Sequence, residues 1–207
     1  MYMKKIALIL LVTGLWLFNA CQNADAPESD NTEQSPAAAE GSPESQVSQE
    51  GEGAPPPPTL VVRSSAVSLL EQRMVSYQDQ LTKIGNKGVV GQRSIDMVQR
   101  YLSTLNLEQI SSKYLGAATV LTANIKRKGG EERQQFTALL RLSTQVYLDY
   151  LVASDAGELH EGHRNTLQTV ADLLQDTDTD PGVLLEGWDP APLQGNAQIL
   201  SSIQDIL

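Results

Sequence analysis

The chain has 207 residues, a formal net charge of −10, 41% hydrophobic but only 5% aromatic side chains, two histidines and one cysteine. A single cysteine builds neither an internal disulfide framework nor a cysteine-based zinc site. The acidic balance argues against nucleic acid as a partner, because a nucleic-acid binder presents a basic surface.

At the N-terminus, Lys4 and Lys5 precede an apolar run from Ile6 to Phe18, interrupted only by Thr13 and Gly14. Such a run makes about 20 Å of helix, short of the ~30 Å hydrocarbon core, which favours the apolar region of a signal peptide over a spanning helix. It leads into Phe18-Asn19-Ala20-Cys21. These residues resemble the lipobox of bacterial lipoproteins, in which a small residue precedes the cysteine that is lipidated and left N-terminal by cleavage. Phe18 stands where Leu is usual, and the likeness covers only the first 21 residues. The resemblance implies a signal peptide over residues 1–20, acyl chains on Cys21 and a membrane-bound place in the bacterial cell envelope. More than one acyl chain is what stable anchoring requires. Gln22 follows where the family's inner-membrane retention signal has Asp, which points to the outer membrane. The alternative is an ordinary secretory peptide with an incidental cysteine.

Residues 21–59 hold the lipidated cysteine and then a segment with eight acidic side chains, no Lys or Arg, and Val47 as its one larger apolar residue. So little apolar surface cannot offset the entropy of ordering the chain, and a disordered acidic tether is expected. Pro55 to Pro58 end it in a short polyproline rod, which read functionally is a weak partner motif.

Residues 60–207 are long enough for one sizeable domain, and their pattern is helical. Val67, Leu70, Met74, Tyr77, Leu81 and Ile84 form one stripe, and Ile95, Val98, Leu102 and Leu105 a second. Asn106 with Gln109 resembles a capping box that opens a third helix through Leu107, Ile110, Tyr114, Ala117, Leu121 and Ile125. Lys126-Arg127-Lys128 suits the negative end of that helix, and Glu131-Glu132 the positive end of the next. The fourth runs from Glu131 to Ser154, with Phe136, Leu139, Leu140, Val146, Tyr147, Tyr150 and Leu151 inward. Gly116, beside Ala117 and Ala118, suggests a close helix crossing. Shorter helices follow from Arg164 to Leu174 and after Asn196, the latter with Leu200, Ile203 and Leu207 inward. The expected fold is all-α, an antiparallel bundle of four main helices plus two shorter C-terminal ones.

Charge divides the domain. Residues 60–148 carry 12 basic and 6 acidic side chains, whereas residues 149–207 carry one basic and 11 acidic. Intramolecular attraction between the halves is the favoured reading, with two faces for two partners as the alternative.

Two candidate metal sites are visible. His160 and His163 lie three apart, one short of the zinc-protease spacing, and Gly157 and Gly162 nearby favour exposed loop histidines over a zinc site. Asp176, Asp178 and Asp180 alternate like the start of an EF-hand calcium loop, but Pro181 occupies the position of the turn glycine. No nucleophile motif or phosphate loop accompanies them. The expected role is a non-catalytic binding or scaffolding module for an envelope protein partner. The alternative is a metal- or small-ligand-binding helical domain, with a hydrolase a distant third. An open cleft at His160 and His163 favours that alternative; an exposed apolar groove favours the scaffold.

Overall fold

The computed structural model describes residues 59–103 and 107–207. Cys21, the signal peptide and the tether lie outside the described residues, as do Leu105 and Asn106. Among the described residues the fold is all-α, with six helices and no helix long and apolar enough to cross a membrane.

Helix α1 spans Ser64–Asn86 and α2 spans Gln92–Ser103. Leu70, Tyr77 and Leu81 are buried as their spacing predicts, while Val67 is 43% exposed and Ala66 takes its inward place. In α2 the buried set is Val98, Tyr101 and Leu102. Helix α3, Ile110–Arg127, starts later than a capping box at Asn106 requires, and Gln109 makes no side-chain cap. Its predicted stripe holds, with Ile110, Tyr114, Leu121 and Ile125 all buried. Gly116 is exposed with open space where a Cβ would stand, so it marks no helix crossing.

Helix α4, Gly130–Ala153, is the axle of the bundle. It packs against α1, α2, α3 and the C-terminal helix, and from Leu139 onward it is almost wholly buried. Neighbours all round explain why its polar residues Ser143, Thr144, Gln145 and Asp149 are buried with its leucines. Lys128 and Glu132 form an ion pair across the α3–α4 turn at 3.0 Å, consistent with the charges expected at these helix ends.

Helix α5 spans Glu161–Gln175 and α6 spans Ala197–Ile206. Short 3₁₀ turns at Pro181–Leu185 and Ala191–Leu193 join them. Asn196 caps α6 by accepting from the Gln198 N–H at 2.8 Å. Ile199 joins Ile203 in the core, whereas Leu200 and Leu207 are half-buried.

Arginines of the basic half fasten the acidic half. Arg63 donates to the backbone oxygens of Val152, Ala153, Leu193 and Gln194, and so joins the end of α4 to the last loop. Arg73 reaches Asp149 and the Asp189 carbonyl, Arg133 reaches Thr177 and Thr179, and Arg141 pairs with Glu186. The charge division is used inside the fold. That last loop also comes close to α4 at Gly195, where a Cβ would stand 2.2 Å from Val152 Cγ1.

Candidate functional site

The strap Thr59–Arg63, just before α1, lies antiparallel to the end of α4. Val62 bridges Ser154, the Arg63 N–H donates to the Ala153 carbonyl at 3.0 Å, and the Asp155 N–H donates to the Val61 carbonyl at 2.8 Å. Beside this strap is a cavity of about 310 Å³, walled by Leu60, Leu151, Leu159 and Ile199 with Asp155, Glu158, His160 and His163 among its lining.

Both histidines stand at the start of α5, His160 as its N-cap and His163 in its first turn. The helix begins three residues earlier than Arg164 because His160 caps it, its Nδ1 accepting from the Gly162 N–H at 3.1 Å. His163, on the first turn, is only 2% exposed, which corrects the expectation of two exposed loop histidines. The glycines suggested a loop, but Gly162 lies buried inside the first turn of the helix. The two rings meet edge to face at 6.2 Å.

Nδ1 of His163 is held in a triangle of hydrogen bonds. It lies 2.7 Å from the Tyr147 hydroxyl and 2.9 Å from Ser111 Oγ, which themselves stand 2.7 Å apart. The triangle joins α3, α4 and α5, and Tyr114 stacks on Tyr147 with ring centroids at 4.6 Å. Burial first, then the neighbouring His160, lowers the His163 pKa to about 4, so the ring is neutral at physiological pH. Burial pushes the Tyr147 hydroxyl upward in pKa despite its bond to Ser111. Nε2 of His163 is buried without a hydrogen-bond partner. In a folded protein such an orphan costs free energy and calls for an explanation.

A second buried cluster lies elsewhere on α4. Asp149 is 1% exposed and accepts from Arg73 Nε at 2.6 Å, Tyr77 at 2.7 Å and Trp188 Nε1 at 2.8 Å. Desolvation raises its pKa above the ordinary carboxylate value; the bonds from Trp188 and Tyr77 and the Arg73 charge oppose that rise. The sequence marked His163 but not its partners Ser111 and Tyr147, and it did not mark the Asp149 cluster at all. Asp149 and its partners are separated by 39 to 76 positions and share no motif.

In the aspartate loop the three carboxylates are not grouped as metal ligands. Asp176, Asp178 and Asp180 are all exposed. Asp176 closes α5, Asp178 takes a left-handed backbone at φ 57°, and the Asp180 carboxylate caps the following 3₁₀ turn through the Gly182 N–H. Pro181 sits at the start of that turn, where its fixed φ suits it. Among the described residues no three His, Cys, Asp or Glu side chains are grouped to hold a metal ion, the His160–His163 pair included. Compared with family models, curated proteins and solved structures, the chain matches none of them.

Proposed function

We propose that this is a lipid-anchored protein of the bacterial envelope whose helical domain binds a small molecule, without transforming it, in the cavity at His163. The observation that carries the reading is the cavity itself, about 310 Å³ beside the strap, walled by Leu60, Leu151, Leu159 and Ile199 with His160 and His163 among its lining. A concave space with apolar walls and a few polar side chains at its lining is the usual form of a small-molecule site. The hydroxyls bonded to this histidine, on Ser111 and Tyr147, are buried with it and hold the ring. They support binding in preference to nucleophilic chemistry. Anchoring is supported by Lys4, Lys5, the apolar run and Ala20-Cys21, with the outer membrane favoured by Gln22.

Two measurements test this. Wild type should partition into detergent with the membrane while Cys21→Ser does not, and equal partitioning removes the anchor. Native mass spectrometry of protein released from membranes should find a retained small molecule, lost in Leu159→Trp, which fills the cavity. Equal spectra for the two proteins remove the cavity as its site.

Recruitment of an envelope protein partner is the second reading, and a groove between α1 and α4 favours it. Hollows of about 570 and 250 Å³ adjoin there and share Gln80, Arg141 and Gln145, with Lys83 and Lys87 exposed at one end. Crosslinking in intact cells through a photoreactive group at Gln80 should then capture one discrete partner, and a featureless ladder counts against it.

A further inference from the structure

The groove between α1 and α4 has a shape and a charge pattern that together point to one kind of occupant. We infer that it takes an extended acidic segment of a protein partner, with carboxylates beside Lys83, Lys87 and Arg141. This rests on the second reading above, in which the groove recruits an envelope protein.

Length sets the kind of ligand. The two hollows adjoin through Gln80, Arg141 and Gln145, and along α1 they run from Arg73 to Lys87. At about 1.5 Å of helix per residue, that stretch is about 21 Å long. An extended chain covers it in about six residues, at about 3.3 Å each. A small molecule seated in one hollow leaves the other empty, whereas a peptide occupies both. An extended peptide also brings unpaired backbone N–H and C=O groups. Ser76, Gln80 and Gln145, among the lining of the larger hollow, have the donors and acceptors to meet them.

Charge sets the composition. Lys83, Lys87 and Arg141 line the smaller hollow beside the apolar Ile84, Ala138 and Leu142, and no Asp or Glu is among its lining. Both lysines are exposed, and among the described residues neither forms an ion pair. Three cations around one hollow make a positive field that an anion answers. Arg141 is paired with Glu186, whose side chain is 62% exposed. An ion pair so open to water is weak, and Arg141 can exchange it for another carboxylate at little cost. Glu186 itself lines the larger hollow, so it stands where an incoming acidic side chain competes for Arg141.

The test uses the full chain in a non-ionic detergent and reads the fluorescence anisotropy of labelled hexapeptides. One peptide alternates Glu with Leu, and the other has Gln in place of Glu. At low salt the acidic peptide should bind at least about tenfold more tightly than the neutral one. The gap should close at about 1 M salt, where the screening length is about 3 Å. Lys83→Gln combined with Lys87→Gln should remove most of the gap, while the neutral peptide's binding and the melting temperature stay as they were. Glu186→Gln should tighten the acidic peptide about threefold by freeing Arg141. Asp176→Asn, the same charge change outside the groove lining, should not.

Equal binding of the two peptides, or a gap that survives loss of both lysines, overturns the acidic segment. Displacement of the peptide by phosphatidylglycerol mixed into the micelles assigns the groove to a lipid surface and overturns it too. A discrete partner captured at Gln80 through a segment that is not acidic removes the charge assignment and leaves the recruiting groove standing. A featureless ladder there removes both.

Discussion

Helix α4 carries two buried polar clusters whose anchor residues, Tyr147 and Asp149, are two positions apart, and they are finished differently. Asp149 has a donor from α1 in Arg73, a second in Tyr77 and a third in Trp188 of the C-terminal loop. His163, gripped at Nδ1 by Tyr147 and Ser111, leaves its other nitrogen unanswered. The contrast separates two uses of buried polarity. A cluster with every group satisfied fixes how elements meet, because removing any member strands the rest. One left open on a single atom holds the ring in place but leaves that atom's hydrogen-bonding capacity unused.

The largest effect expected from this contrast comes from the closed cluster. Asp149→Ala leaves the Tyr77 hydroxyl, the Trp188 N–H and the half-buried Arg73 guanidinium without their shared acceptor. We expect a loss of about 3 kcal/mol and a melting temperature lower by about 6–12 °C, with the Trp188 emission moving to longer wavelength. A loss below about 1 kcal/mol would erase the distinction between the clusters.

The open cluster should matter less to stability, and its effect should depend on pH. A histidine whose pKa falls from 6.5 to about 4 on folding stabilises the fold fully above its unfolded value. That contribution drains away as pH falls from 6.5 through about 4, because the unfolded ring takes up a proton that the folded ring refuses. Allowing for solvent screening at the cavity, on the order of 1–2 kcal/mol should be lost between pH 7 and pH 4. Asp149, with its pKa raised, works the opposite way and gains protonated stability as pH falls. Comparing wild type with His163→Phe cancels that opposing contribution. The variant should match wild type at pH 7 within about 1 kcal/mol, since an apolar ring also removes the orphan nitrogen, and should overtake it at pH 4. Parallel pH curves would show that His163 does not titrate as its burial requires.

The smallest effect concerns the aspartate loop, which is polar without being buried. Millimolar Ca²⁺ should move the melting temperature of the full chain by less than about 1 °C, against the roughly 1 kcal/mol that a weak site would give. A larger shift abolished by Asp178→Asn would place a site where the side chains are not grouped for one.

The helices were legible because one-sided burial leaves a periodic mark, and α1 and α3 follow their stripes closely. The reading slipped where burial was not one-sided. Val67 has the right spacing, but Ala66, one turn before Leu70 on the same face, turns in instead. The later part of α4 is buried all round, so Asp149 and Gln145 look like a solvated face when read as a sequence. The start of α5 was lost because an imidazole, not a hydroxyl or carboxylate, caps it. His163 was misplaced for the same reason, since its burial follows from a helix that its neighbouring glycines seemed to forbid. The arginine clasps were foreseen only as opposite charges, because Arg63 and Leu193 meet across 130 positions with no local trace.

The strap at Thr59–Arg63 has a mechanical consequence. Any pull arriving from the N-terminal side enters the folded domain at Leu60, whose side chain walls the cavity. Tension there loads the Val62–Ser154 bridge and its few flanking hydrogen bonds before it reaches a helix, until the Arg63 clasp takes the force. A guest seated against Leu60 would share that load and resist the peeling of the strap. Conversely, a taut chain would loosen the guest.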